Sequence, residues 1–326
     1  MELRDIEYFA VVAEHGHLGR AAESLGLSQP AVSKSLRRLE QALEAKLVKR
    51  TPKGVELTAE GSALLLRVQE LRLSLQDVAR EIADLSQGRV GRLRIGAGEN
   101  IDEHLLPGAF TALLKDAPKL TLKISVSDND LMLPALRNGE LDLVVNFLRA
   151  SPPEGLVQER LYDDEMVVCA SANHRLTRLK RVSMADLAQE RWALTDSVIP
   201  SQQWLRQAFQ DRGLPPPRAA IESRSVRFRF QALASSDLLD FTSRHVFQQA
   251  AARFNLKEIP AKELMWRRPI GVISRKVAYL SPAARRLIEI LRSTAQKLPR
   301  HNSERSDDTH DAEPRLAADA PQAARR

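Results

Sequence analysis

Apolar and polar positions recur with a helical period over the first part of this chain and change to a strand–helix alternation after about residue 90. Leu3, Ile6, Phe9, Ala10 and Ala13 stand at helical spacing and predict a first helix that buries Phe9. Leu18 to Leu25 predicts a short second helix, ended at Gly26 where a left-handed C-cap carries no steric cost. Its Ala21 and Ala22 allow a close helix crossing. Val32, Leu36, Leu39 and Leu43 then follow at spacings of four, three and four, a stripe that defines a third helix. Ser28 is its N-cap, and Pro30 falls in the first turn where a missing N–H costs nothing. Opposite the stripe lie Pro30, Lys34, Arg37 and Gln41, with Ser33 and Arg38 on the flanks, and this outer face has no carboxylate. The two helices are a helix-turn-helix candidate, although an ordinary amphipathic pair with solvated charges reads the same on these residues alone. Leu47 to Leu57, apolar and basic and broken by Pro52 and Gly54, adds a predicted hairpin with a basic tip, which would be a wing.

Thr58 with Gly61 opens a long helix in which Leu64, Val68, Leu71, Leu75, Val78, Ile82 and Leu85 alternate spacings of four and three. This is a heptad seam. The other faces carry Arg67, Glu70, Arg72, Asp77, Arg80, Glu81 and Asp84, which favours a second copy of the helix as partner over the core of a monomer. The glycine-bearing run from Ser86 to Gly91 breaks the helix. Leu93–Ala97, Leu120–Val126 and Leu141–Phe147 read as strands separated by helices at Ile101–Lys115 and Leu131–Asn138, which implies a parallel sheet. Leu156–Tyr162 and Glu165–Ala172 read as two more strands, the second crossing into another lobe. Helices at Ala185–Leu187, Gln203–Arg212, Arg229–Ala234 and Ser243–Phe254 alternate with short extended pieces; Arg268–Ser274 returns to the first sheet, and Ser281–Lys297 is the last helix. From Pro299 onward Leu316 is the one large apolar residue, so the segment cannot bury a core and is expected to be disordered.

The residues Leu3, Phe9, Ala21-Ala22-Glu23, Leu25, Ser28-Gln-Pro-Ala-Val-Ser33, Leu36, Leu39-Glu40, Leu47, Arg50 and Gly54-Val-Glu-Leu-Thr-Ala-Glu-Gly61 resemble the LysR-type transcriptional regulators. Two positions depart from the family's usual residues: Val48 where Phe is common, under the wing, and Gly19 where Ser or Thr offers a phosphate contact. The rest of the chain is similar to the family by layout. The resemblance implies an α/β protein with an N-terminal winged helix-turn-helix domain, a long linker helix, and a two-lobed effector domain like that of periplasmic binding proteins. The expected division is a DNA-binding domain at 1–60, a linker and dimerisation helix at 58–87, an effector domain at 91–298, and a tail at 299–326. Within the effector domain, 91–161 plus 268–298 form one subdomain and 162–267 the other.

Charge sharpens this picture. The chain of 326 residues carries a net +7, yet residues 1–90 hold equal numbers of basic and acidic side chains. Within them Lys34, Arg37, Arg38, Lys46, Lys49, Arg50 and Lys53 face only Glu40 and Glu44 between positions 34 and 53. Positive charge focused on one helix and wing is the footprint expected for duplex DNA. A single cysteine, Cys169, excludes a disulfide framework and implies a reducing compartment. With no basic leader, no secretion signal and no span of membrane length, a cytoplasmic protein is expected. Gly96-Ala-Gly98 lacks the third glycine of a dinucleotide fingerprint, because Ile101 stands there. The seven histidines show no ligand spacing, and Cys169 has no catalytic neighbours, so no cofactor, metal or enzyme activity is predicted.

The expected sites follow. Gln29, Pro30, Ser33, Lys34 and Arg37 face the major groove, Arg37 and Arg38 hold phosphate, and Arg50 and Lys53 on the wing approach phosphates or the minor groove. Leu64, Val68, Leu71, Leu75, Val78 and Ile82 form the dimerisation seam; the resemblance extends this to a tetramer and adds RNA polymerase as a further candidate partner. A small-molecule effector is expected beyond the carboxyl ends of the strands, at Gly98, Asn100, Asp128, Asn129 and Asn146. By order along the chain the family's effector loops fall at Thr195, Ser197 and Ser223 in the other subdomain. Glu99, Asp102, Asp128 and Asp130 crowd the lip, where they read either as helix caps and solvated charge or as facing the cleft; facing it, they disfavour a dicarboxylate and favour a polyol, a sugar acid or a donor-bearing ligand, with Arg224 or Arg227 taking any carboxylate. The competing reading is a solute-binding module whose N-terminal helices only mediate assembly.

Overall fold

The computed structural model describes residues 2–87, 91–98, 101 and 105–297, and of 85–87 the backbone alone. Outside the described residues lie the predicted tail 299–326, the cleft candidate Asn100, the lip residues Glu99 and Asp102, and the break at 88–90. The chain divides into two compact units, taken here in turn.

The first unit begins with α1 (Leu3–His15), α2 (Leu18–Leu25) and α3 (Gln29–Ala42). A hairpin, β1 (Val48–Thr51) paired antiparallel with β2 (Gly54–Leu57), leads into α4 (Ala59–Gln87). Gly16 and Gly26 end α1 and α2 in the left-handed conformation, and the Ser28 hydroxyl accepts the Ala31 N–H to start α3. Phe9, Val12, Ala21, Val32, Leu36, Leu39 and Leu47 close the core. The wing is seated on the turn between α1 and α2: Val55 N–H donates to the Gly16 carbonyl at 2.8 Å, and a Cβ on Gly54 (φ 136°) would collide with that same oxygen.

Two expectations are corrected here. Leu43 is 37% exposed because α3 stops at Ala42; the buried residue at this end is Glu40, which accepts the Leu47 N–H at 3.0 Å and Lys46 Nζ at 2.9 Å. The seam of α4 also splits in two. Leu64 packs half-buried against the three-helix core and Val68 is 4% exposed, whereas Leu71, Leu75, Val78 and Ile82 are 44%, 55%, 49% and 61% exposed.

The second unit contains β3 (Arg92–Ala97), α5 (Leu106–Asp116), β4 (Thr121–Val126), α6 (Asn129–Arg137), β5 (Leu143–Phe147) and β6 (Leu156–Ser171). Next come α7 (Met184–Ala188), β7 (Arg191–Leu194), α8 (Pro200–Gln210), β8 (Arg218–Glu222), α9 (Val226–Ala234) and β9 (Leu239–Ser243). The unit ends with α10 (Arg244–Phe254), β10 (Leu256–Glu258), β11 (Trp266–Arg275) and α11 (Pro282–Gln296). The sheet runs β4-β3-β5-β11-β6-β9-β7-β8, with β10 attached to β6. β3 is parallel to β4 and β5, and β7 is parallel to β8 and β9, with the edge strands β4 and β8 largely exposed. β6 and β11 run antiparallel through the middle.

The two strands expected at Leu156–Tyr162 and Glu165–Ala172 are one strand of 16 residues. Its first half is mostly half-buried or exposed and its second half is buried throughout, a change of environment that looks like a break along the sequence. β11 stays paired along β6 by shifting register at Ile270/Gly271, where a side chain on Gly271 would strike the Glu159 carbonyl. One lobe packs around Met132, Leu136 and Val144, and the other around Trp192, Leu205 and Phe209, so the two share β6 and β11 but not a core.

Candidate functional site

Gln29, Pro30, Lys34 and Arg37 are exposed on α3, and Ser33 is half-buried beside them. The wing reaches the same surface, since Arg50 Nη2 donates to Ser33 Oγ at 3.1 Å. Lys53 is exposed at the tip of the hairpin. Together these residues present amide, hydroxyl, ammonium and guanidinium donors with no exposed carboxylate among them, as phosphates and guanine edges require.

Arg38 is engaged elsewhere. Its Nε donates to Asp5 Oδ2 at 2.9 Å and its Nη2 to Oδ1, while Ser35 Oγ donates to the same carboxylate at 2.6 Å. Asp5 is fully buried on α1, and these bonds, Arg38 first, hold its carboxyl down at about 2. Positions 35 and 38 share one side of α3 that faces α1. Arg38, expected on phosphate, clamps α3 to α1 while its side chain stays 47% exposed.

The expected cleft lies in the second unit. It encloses about 50 Å³ and is lined by Gly98, Asp128 and Asn146 of one lobe and Thr195 of the other. A Cβ on Gly98 would run into the Asn146 amide, so only glycine lets that amide lie over the end of β3. Three expected residues are not in the lining. Asn129 is buried behind the wall, where its Oδ1 accepts Asn146 Nδ2 at 2.9 Å. Ser197 and Ser223 stand beside the lining and not in it; Ser223 Oγ accepts the Ser225 N–H.

The structure adds residues that spacing did not assign. Phe241, Met166, Arg229 and Arg268 also line the cleft. Arg229 Nε donates to the buried Asp240 at 3.1 Å and its Nη1 to the Ser223 carbonyl at 2.7 Å. Burial pushes the Asp240 carboxyl up against the pull of Arg229. Arg268 meets the buried Asp164 at 3.0 and 3.1 Å; burial opposes this carboxylate's charge, but Arg268, His245 and Ser243 together hold it below the usual range. A sequence signal existed: Arg229 stands among Val226, Phe230 and Leu233 on the apolar stripe of α9, and Asp240 interrupts an apolar strand. Across the mouth, Arg224 reaches Asp128 at 3.3 Å and Asp196 at 3.1 Å. Cys169 is fully buried in β6 and burial pushes its thiol up, which leaves it a small core residue. No helix among the described residues is long and apolar enough to cross a membrane.

Comparison with known proteins follows the same division. Residues 3–62 match the bacterial regulatory helix-turn-helix protein, lysR family, and residues 86–296 match the LysR substrate binding domain. The HTH-type transcriptional regulator GbpR of Azospirillum brasilense is 28% identical over 297 residues, 90% of this chain and 87% of that protein. The HTH-type transcriptional regulator GalR of Pseudomonas putida is 28% identical over 292 residues, 89% of this chain and 73% of that one. Among solved structures, a full-length OxyR variant from Pseudomonas aeruginosa shares the fold with a TM-score of 0.58 at 23% identity, over 91% of this chain and 95% of its own. With a helix-turn-helix and wing in front of a two-lobed α/β domain, and both matched in order, the chain belongs to the LysR family of DNA-binding transcriptional regulators, which are not enzymes.

Proposed function

We propose that this regulator reads its operator with α3 and the wing, works as a homo-oligomer held by α4, and answers to a small molecule in the cleft between its two lobes. The carrying observation is the Arg50–Ser33 bond, which supports a single reading surface made of Gln29, Pro30, Ser33, Lys34 and Arg37 together with Arg50 and Lys53. Gln29 and Ser33 are assigned to base edges and Lys34 to a guanine edge, each worth about 1–3 kcal/mol of discrimination where pairing is good. Arg37, Arg50 and Lys53 serve phosphates. The exposed row Leu71, Leu75, Val78 and Ile82 supports pairing of two α4 helices, which would hold two reading helices at the spacing of two half-sites. Gly98, Asp128, Asn146 and Thr195, drawn from both lobes, support the cleft as the effector site.

The test is operator affinity measured across a salt series. Lys34→Ala and Ser33→Ala should each lower it and relax the sequence preference at one base pair, while Lys53→Ala should weaken all sequences alike and lower the salt slope by about one. Unchanged affinity in both α3 variants would remove α3 as the reader.

A further inference from the structure

We propose that the cleft takes a neutral polyhydroxylated ring, the size of a monosaccharide or cyclic polyol, in preference to a carboxylate; this rests on the reading of the cleft as the effector site. Among the described residues the charges around it are matched: Arg229 is held by Asp240, Arg268 by Asp164, and Arg224 by both Asp128 and Asp196, three guanidiniums against four carboxylates. An incoming carboxylate would have to break one of these pairs or sit against Asp128 without a counter-charge of its own. A hydroxyl needs no counter-charge beside Asp128, because it donates to a carboxylate and accepts from a guanidinium or amide.

Two further features fit such a ring. Thr195 is buried on the cleft wall, and its Oγ1 has no hydrogen-bond partner among the described residues. A buried hydroxyl without a partner is costly, and a ligand hydroxyl would satisfy it. The apolar wall ends in Phe241, which is backed by Trp204 stacked at 5.7 Å and by Trp266 stacked on Trp204 at 5.3 Å. A rigid aromatic face suits the C–H face of a sugar ring, whose edge hydroxyls then point toward Asp128 and Asn146. At about 50 Å³ the cleft as it stands has room for a water or two, so a ring enters only as the lobes part. Parting them breaks the Arg224–Asp128 pair, and Asp128 is then free to accept ligand hydroxyls.

The experiment is a thermal-shift and calorimetric panel on the full chain. Neutral aldoses, hexitols and inositols are compared with size-matched aldonates and dicarboxylates at millimolar concentration. At least one neutral member should raise the midpoint while its aldonate does not, and Asp128→Asn and Thr195→Val should each weaken that binding by about tenfold or more. Carboxylates that bind while every neutral member fails would overturn the ligand class and leave the cleft standing. Sugar binding unaltered in both variants would instead overturn the cleft as the site, and a panel without any binder would sink the proposal.

Discussion

Arg229→Met isolates the buried pair that ties α9 to β9 within the second lobe. Asp240 is 0% exposed and Arg229 3% exposed, so removing the guanidinium leaves a carboxylate with no water to turn to. Breaking a buried pair in this way costs about 3–5 kcal/mol. The Ser223 and Arg224 carbonyls also lose a donor, which places the loss toward the upper end. At roughly 2–4 °C per kcal/mol for a unit of 150–250 residues, the midpoint should fall by roughly 6–20 °C in differential scanning calorimetry. The pH dependence carries a sign. Burial already raises the Asp240 carboxyl, and without Arg229 it rises further, so the folded state prefers the protonated form. A group raised on folding keeps its stability below its unfolded value of about 3.9 and loses it as pH climbs through the folded value. The deficit of Arg229→Met should therefore be small near pH 4 and grow toward neutrality. Arg229→Met combined with Asp240→Leu should recover most of the loss, because two apolar side chains leave no charge behind. A drop below about 1 kcal/mol, or a double variant as unstable as the single, would refute this account.

Asp5, held at about 2 by Arg38 and Ser35, contributes stability that is present above its unfolded value and lost as pH falls from about 4 to 2; Asp5→Asn should flatten this acid dependence in hydrogen exchange of α1 and α3, and an unchanged profile would dissolve the clamp. Leu75→Glu, at a position 55% exposed, should give monomers by sedimentation with the fold intact, whereas Val68→Glu, at 4%, should unfold the N-terminal unit. An oligomer unaffected by Leu75→Glu would remove the seam. Gly98→Ala should push the Asn146 amide aside and flatten the effector dose curve in a reporter assay; an unaltered curve would show that Asn146 plays no part in the response.

The periodic parts of this protein were determined by sequence alone. The spacing of Val32, Leu36 and Leu39, the cap at Ser28 and the glycines at 16 and 26 fixed α1 to α3, because local caps and one apolar face leave a short helix few alternatives. The wing and the strand–helix alternation from β3 to β5 were legible for the same reason, since each segment announces its own burial. Tertiary structure decided what a side chain does once several faces compete for it. Packing of α3 on α1 brings Asp5 to Arg38, and folding of β5 against α6 turns the Asn129 oxygen to the Asn146 amide behind the cleft wall. The heptad seam is uniform in sequence, yet Leu64 is half-buried and Val68 buried while Leu71, Leu75, Val78 and Ile82 are exposed, because burial depends on what lies opposite and not on period. Arg229, Arg268, Asp164 and Asp240 come from four separate elements, and no spacing rule links residues that meet only when β6, β9, β11 and α9 pack around one cleft. The family and its architecture were therefore written along the chain, while the charge balance of its cleft existed only after folding had brought those four side chains together.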